Sequence, residues 1–511
     1  MDNAPKKISA FEKRLKRQVI GKPHRFLAVV PLGFEQTFVD ELDCLRRKTK
    51  DERRKIESED ESVDSFDIKI VGDGKVEFTA KLVEAWKIAA YSRIANRIQM
   101  HIADFKAENF RDLERKAADV PWELFLDERG LSSNSELVTR NSLHIHATCK
   151  HSRLYHSDAV AERLYKVIEG GSLPLAPYQT KERSAYGYAI DERLKTKQSF
   201  YRLSSIGAQR RSFVYDSATP SAGTPRNAPT QNVYVTLIDD RCTIWLDLAG
   251  EELYKRGHER FVNDAPLKET IAAAMIFESI RMASQSHNSK GEARPHGSQL
   301  ITLLDLMAGS GTFSLEAAYA ANRLIPGVCR DFALKHQPAF KEPTWRFVLD
   351  ERNGASDSRV VKIVTSDISE KAVSIIKHNV ESAPLPAGTI DPQVRDFFSY
   401  TAQEIADACP GESSPVILLN PPYGKRLDVD APALYTRLGR RLAELARALE
   451  PLEKHLTVGI LAPKDIPASK YTCTANLLRE CPSLDHAKNP DAKCIVTSHG
   501  GLTLNVIFAR I

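Results

Sequence analysis

Apolar and polar positions change rhythm several times along the chain, and each change marks an element. Residues 26–30, Phe-Leu-Ala-Val-Val, make a run of strand length, and residues 33–45 place their apolar side chains at helical spacing. The charged stretch 46–67 reads as a solvated insertion. A short strand at 76–78 and a helix over 82–97 come next. Residues 142–146 alternate as a strand does, and 157–168 carry a helical stripe. Runs at 233–237 and 242–246, separated by a turn at Asp239-Asp240, predict a β-hairpin. From residue 300 onward, short apolar runs at 300–306, 362–366, 393–397, 416–419 and 456–461 alternate with helical patterns. That rhythm predicts right-handed crossovers and a parallel sheet covered on both faces. The last two runs, 494–497 and 502–508, flank His499-Gly500-Gly501 and predict an antiparallel hairpin.

These elements group into a basic N-terminal tail (1–24), a first folded unit (25–100), a second (101–247, with an insertion at about 172–230) and an α/β unit (248–511). A chain of 511 residues is long enough for several such cores. Its 42% hydrophobic and 27% charged residues suit a soluble globular protein. No apolar run reaches the ~20 residues of a membrane helix, and no secretory signal follows the basic start. The eight cysteines are scattered without a Cys-x-x-Cys pair, as expected of reduced thiols in a cytoplasmic protein. Net charge is +5, yet residues 1–25 alone hold eight Lys/Arg against Asp2 and Glu12. The excess therefore sits in one arm, suited to phosphate contact. A second basic, aromatic-rich stretch covers 178–227, with nine Lys/Arg, four acids and seven Tyr/Phe.

Two motifs carry chemistry. Leu303-Leu-Asp305-Leu-Met307-Ala308-Gly309-Ser310-Gly311-Thr312 is an apolar strand, a glycine turn and a helix start. Glycines there let the backbone approach a cofactor, and the helix offers unpaired N–H groups. The Walker lysine is missing, which excludes a P-loop. The next acidic strand end, Asp367, lies too far along for a dinucleotide fold. Val416-Ile-Leu-Leu-Asn420-Pro421-Pro422-Tyr423-Gly424 puts a polar-aromatic tetrad at the carboxyl end of a buried strand. A nucleobase amine is a poor nucleophile because its lone pair is delocalised into the ring. Two acceptors, the Asn420 side-chain oxygen and the Pro421 carbonyl, can hold both N–H groups and aim the lone pair at a methyl sulfonium. The prolines fix the backbone, and Tyr423 can stack on a base drawn out of its helix.

With these residues the sequence resembles class I methyltransferases acting on exocyclic amines, for which Asn-Pro-Pro-Tyr is the hallmark. The likeness extends upstream. Asp247-Leu-Ala-Gly250-Glu-Glu-Leu-Tyr-Lys-Arg256-Gly257-His-Glu-Arg260, followed by Ala265-Pro266-Leu267-Lys-Glu269, is similar to the segment leading into the catalytic domain of THUMP-containing RNA guanine-N2 methyltransferases. The large-subunit ribosomal RNA branch is the nearest. Ser92-Arg-Ile-Ala-Asn-Arg97 and Pro326-Gly327-Val-Cys-Arg330 also fit, and Ser152-Arg-Leu-Tyr-His156 is similar to the THUMP core.

The resemblance implies a Rossmann-like seven-stranded sheet with a C-terminal antiparallel hairpin, preceded by a ferredoxin-like and THUMP RNA-binding region. It implies S-adenosyl-L-methionine as cofactor, bound by Asp305, Met307, Ala308, Gly309, Ser310, Gly311 and Thr312. Asp367 with Ile368 would hold the ribose, Asp396 with Phe397 would flank adenine, and Pro266, Leu267 and Asn420 would complete the pocket. Asn420, Pro421, Pro422 and Tyr423 would be catalytic.

The implied activity is methylation of guanine N2 in RNA, ribosomal RNA foremost, in the cytoplasm, with no membrane and no metal. His144, His146, Cys149 and His151 crowd together, but no second cluster completes a tetrahedral metal site. The same tetrad also serves tRNA guanine-N2 and DNA or RNA adenine-N6 methylation. A non-catalytic RNA-binding protein with an inactive methyltransferase domain would have lost Asp305, Asn420 or the glycines, and all are present. RNA selection is expected in the first half, separable from catalysis near Leu248.

Overall fold

The computed structural model describes residues 9–54, 67–126, 143–169, 231–258, 260–262, 266–284, 299–350, 359–423, 430–465 and 472–511. The second basic stretch, 178–227, lies outside them, as does Gly424.

Two seven-stranded sheets organise the chain. The first contains β1 (His24–Val29), β2 (Ile68–Gly72), β3 (Lys75–Ala80), β4 (Arg97–Lys106), β5 (Leu143–Lys150), β6 (Gln231–Ile238) and β7 (Arg241–Asp247). Their order is β2-β3-β1-β4-β7-β6-β5, antiparallel except for the β5–β6 pair. The β6–β7 turn has both Asp239 (φ 50) and Asp240 (φ 61) left-handed, the geometry a two-residue hairpin needs.

The second sheet contains β8 (Ile301–Asp305), β9 (Val360–Asp367), β10 (Pro392–Val394), β11 (Ser414–Leu419), β12 (Thr457–Pro463), β13 (Lys493–His499) and β14 (Leu502–Arg510). It runs β10-β9-β8-β11-β12-β14-β13, parallel except where β14 pairs with β12 and β13. This is the doubly wound arrangement of class I methyltransferases, closed by the antiparallel hairpin. The chain winds outward from β8 through β9 to β10, then returns to place β11 on the other side of β8. Such a switch opens a crevice at the strands' carboxyl ends.

Several expectations need correction. The helix expected over 82–97 ends at Tyr91, because the Ser92 hydroxyl turns back to accept from the Ala95 N–H and donates to Glu41. Arg97 already begins β4, which pairs with β1 on one side and β7 on the other, so residues on both sides of position 100 share one sheet. The stretch 46–67 is not all insertion, since the helix Glu35–Arg54 continues into it. Part of the basic tail is also structured. A capping box at Ser9 and Glu12 starts the helix Ala10–Leu15, a π-turn continues to Ile20, and Leu15 and Val19 are buried in the core.

The expected division near Leu248 is no gap in packing. One hydrophobic core takes in Phe34, Phe38, Trp86 and Ile98 from the first half with Ile271, Met275, Phe332 and Phe508 from the second. Trp86 lies 5.8 Å from Phe340 and 6.5 Å from Trp345, centroid to centroid.

Candidate active site

β8, β9 and β11 are neighbours, so their carboxyl ends bring Asp305, Asp367 and Asn420 to one edge. All five residues of β8 are buried, as a central parallel strand requires. Asp305, its last residue, is 1% exposed. Its Oδ2 accepts from the Ser314 N–H (3.1 Å) and the Ser314 hydroxyl (2.7 Å), which tethers the helix Thr312–Ala321 to the strand end. The Ser314 hydroxyl is in turn 2.8 Å from that of Thr365 on β9. Asp305 Oδ1 is buried and has no hydrogen-bond partner among the described residues. Burial pushes the carboxyl up to about 7; the two Ser314 hydrogen bonds pull it back, while nearby Asp367 adds to the rise.

The glycine turn follows Met307 and Ala308, the latter donating its N–H to the Ser366 carbonyl. Gly309 (φ 57) and Gly311 (φ 76) are both left-handed, which side chains with a Cβ resist. A Cβ on Gly309 would meet nothing within 4 Å, so space is open there, whereas one on Gly311 would sit 3.1 Å from Ile376. The Gly309 N–H donates to Asp367 Oδ2 (2.9 Å) and the Ser369 N–H to Asp367 Oδ1 (2.9 Å). Both bonds fix the carboxylate, and each ionised oxygen keeps a further lone pair for a hydroxyl donor. Ile368 beside it is 69% exposed, an uncovered apolar surface at the lip of the crevice.

Asn420 follows β11, and its Oδ1 is likewise buried without a partner among the described residues. Pro421 is buried, and Pro422 is half-buried. Tyr423 is half-buried, leaning on the larger core, and burial raises its phenol well above the ordinary range. Asp396 accepts from the Phe398 N–H (3.0 Å) and caps a short turn. Phe397 departs from expectation: its ring is enclosed in the second core, against residues such as Tyr400 and Leu419, and presents no open face for adenine. Leu267 is also core, and the Pro266 carbonyl accepts from His499 Nε2 (3.0 Å). His146, from the histidine cluster, is held by Asn232 (3.0 Å) and stacked on Tyr234.

Two residues without an assigned role join this site. Arg260 donates from Nη2 to the Thr312 hydroxyl (2.6 Å) and more distantly to Ser310 Oγ (3.4 Å), while Nη1 pairs with Glu269. Asn379 is buried; its Oδ1 accepts from the Phe261 N–H (2.8 Å), and its Nδ2 donates to the carbonyls of Phe261 (2.9 Å) and Ser310 (3.3 Å). Together they bind the leading segment to the glycine turn. The sequence did hold a signal for Asn379. It falls in register with Ala372, Val373 and Ile376 on the buried stripe of the helix Glu370–Ser382, where a polar residue needs a specific partner.

Residues 256–450 match the family described as RMKL-like, methyltransferase domain. The chain carries a methyltransferase domain of this family. The curated relatives include the ribosomal RNA large subunit methyltransferase K/L of Syntrophotalea carbinolica, 27% identical over 82% of this chain and 47% of that protein. The K/L protein of Alteromonas mediterranea is 25% identical over 73% of this chain and 43% of its own length. The chain thus spans about half the length of these relatives. The Bacillus subtilis protein named "Putative RNA methyltransferase YpsC" is 24% identical and is covered over 86% of its length, with 84% of this chain aligned. Among solved structures, SMU.472, described as "a putative methyltransferase complexed with SAH", superposes with a TM-score of 0.60 at 19% identity, covering 96% of this chain and 98% of that one. The methyltransferase domain and the sheet before it therefore share their fold with a known structure. No helix among the described residues is long and apolar enough to cross a membrane.

Proposed function

We propose that the chain methylates the exocyclic N2 amine of a guanine in RNA, large-subunit ribosomal RNA being the substrate, with S-adenosyl-L-methionine as methyl donor. The observation that carries this reading is the unpartnered Asn420 Oδ1, buried at the carboxyl end of β11 beside the β8 glycine turn. A buried acceptor without a donor costs about 1–3 kcal/mol, so a donor is expected when the site is filled. An aromatic amine offers two N–H groups, which Asn420 Oδ1 and the Pro421 carbonyl would accept together.

The donor set also fits the cofactor. Asp305 Oδ1, buried and unpartnered, would take the ammonium of its amino-acid end; the open space at Gly309 admits its body; Asp367 would take ribose hydroxyls; and Ile368 would cover an adenine face. When bound, this group supplies an electrophilic methyl on a sulfonium. The chain's own residues orient the amine and strip water from it, and Tyr423 would pack against the extruded base.

The K/L and YpsC relatives, by their names, support RNA as substrate. Residues 101–247 with the Ser152–His156 turn would be the THUMP-like RNA-binding part, assisted by the basic arm, and the action would be cytoplasmic. The test is methyl transfer from labelled S-adenosylmethionine to ribosomal RNA, tRNA and duplex DNA, with nucleoside mass mapping. N2-methylguanosine in ribosomal RNA alone is expected. Methyladenine as the product would reject the guanine reading, and labelling of tRNA alone would reject the ribosomal one.

A further inference from the structure

Arg260 sits where the leading segment crosses the N-terminus of the helix Thr312–Ala321. Its side chain is 10% exposed, oriented by Glu269 and by the Thr312 and Ser310 hydroxyls, and its backbone neighbour Phe261 is clamped by Asn379. A helix start leaves N–H groups without partners in the helix. Here the Ser314 N–H goes to Asp305 and the Leu315 N–H to Gly311, leaving those of Thr312 and Phe313 facing the turn. The same helix end holds Asp305, whose buried Oδ1 lacks a donor. A fixed cation and a helix N-terminus therefore lie beside a buried carboxylate. This is a pair of opposite poles within the span of one small molecule.

We propose that Arg260, with the N-terminus of the helix Thr312–Ala321, binds the carboxylate of an α-amino-acid group whose ammonium lies on Asp305. The assignment rests on the cofactor reading above and deepens it: the site recognises the cofactor's amino-acid end as a zwitterion, and Arg260 is its anion-binding residue. Guanidinium and carboxylate are matched in planarity and in their paired donors and acceptors, and Glu269 holds the fork in one orientation. A guanidinium that only braced the glycine turn would affect every ligand of the pocket alike. One that binds the carboxylate would affect only ligands that have it.

That difference is the test. Calorimetry would compare S-adenosylhomocysteine with its decarboxylated analogue on the full chain, as wild type, Arg260→Met and Arg260→Lys. Wild type is expected to bind the decarboxylated analogue roughly 10- to 100-fold more weakly, the loss of one charge-assisted contact. Arg260→Met is expected to bind both equally weakly, and Arg260→Lys to restore part of the preference. Equal wild-type affinities for the two ligands would overturn the proposal even if the variants failed to fold. A preference retained in Arg260→Met would overturn it too and leave Arg260 as a brace. Binding of neither ligand by wild type would instead bring down the cofactor reading, and the Arg260 assignment with it.

Discussion

Asp305 and Asn420 share one anomaly, a buried oxygen with no donor, and from it follow two different measurements. For Asp305 the consequence is pH dependence. Burial holds its folded-state carboxyl at about 7, above the roughly 4 of an unfolded chain. The stability it contributes is therefore complete below about pH 4 and is lost as pH rises through about 7. A bound ammonium requires the ionised form, so affinity for S-adenosylhomocysteine should rise about tenfold per pH unit up to about pH 7 and then flatten. Calorimetry in buffers of different ionisation enthalpy should show a proton released below that point. A flat affinity profile with no proton release would mean that Asp305 does not meet the ammonium. For Asn420 the consequence is rate. Asn420→Ala should lower the single-turnover methylation rate by roughly 10²-fold, the usual loss for one preorganised polar contact. Cofactor affinity should barely move, since its partner is the amine. Normal single-turnover methylation by the mutant would refute that role.

At the scale of elements, the glycine turn joins β8 to its helix, and its two left-handed glycines do different work. At Gly311 a Cβ would crowd Ile376 as well as strain the backbone, so Gly311→Ala should cost about 1–2 kcal/mol in urea unfolding. Gly309 faces open space, so Gly309→Val should add loss of cofactor binding to a similar strain. A Gly309→Val protein that still bound the cofactor like wild type would move the pocket elsewhere. This turn was legible in the sequence because β8, β9, β11 and β12, covered on both faces, read as short apolar runs. β2 was not legible, since most of this edge strand is exposed and lacks an alternating stripe. β4 was hidden because its apolar residues continue those of the preceding helix, and only the Ser92 hydrogen bonds reveal the break. Phe397 was misread for a related reason. The Asp396-Phe397 motif names a position on the loop, while the direction of the ring depends on the core beneath it. Arg260 and Asn379 act through partners 50 or more residues away, Thr312 for one and Phe261 and Ser310 for the other, a relation that no local pattern displays.

At the scale of the whole molecule, the two sheets are joined by buried charge as well as by apolar packing. Arg256 holds Glu316 with two bonds of 3.0 Å and donates to the Arg93 carbonyl (2.8 Å) in the first half. Arg93 itself lies 3.6 Å from Glu316, and its N–H donates to Glu41 (2.8 Å), whose carboxyl burial pushes up. Farther along, the Thr37 hydroxyl donates to Glu278 (2.6 Å), and the Tyr91 hydroxyl to the Val348 carbonyl (3.0 Å). Glu316 belongs to the helix that begins at the glycine turn, so the first half supports the cofactor loop directly. Removing one partner from a buried charge network typically costs about 3–5 kcal/mol, a large share of any domain's stability. A fragment starting near Leu248 keeps every catalytic motif. However, it loses Arg93 from Glu316 and Thr37 from Glu278, and it uncovers the apolar surface that meets Trp86 and Phe38. The fragment is therefore expected to lack a cooperative thermal transition, to bind a hydrophobic dye and to lose cofactor affinity, while the full chain unfolds in one step. Glu316→Ala in the full chain should weaken stability by that same 3–5 kcal/mol. A fragment that melted cooperatively and bound S-adenosylhomocysteine as tightly as the full chain would show that the catalytic half stands alone, and that the shared core is a contact rather than a requirement.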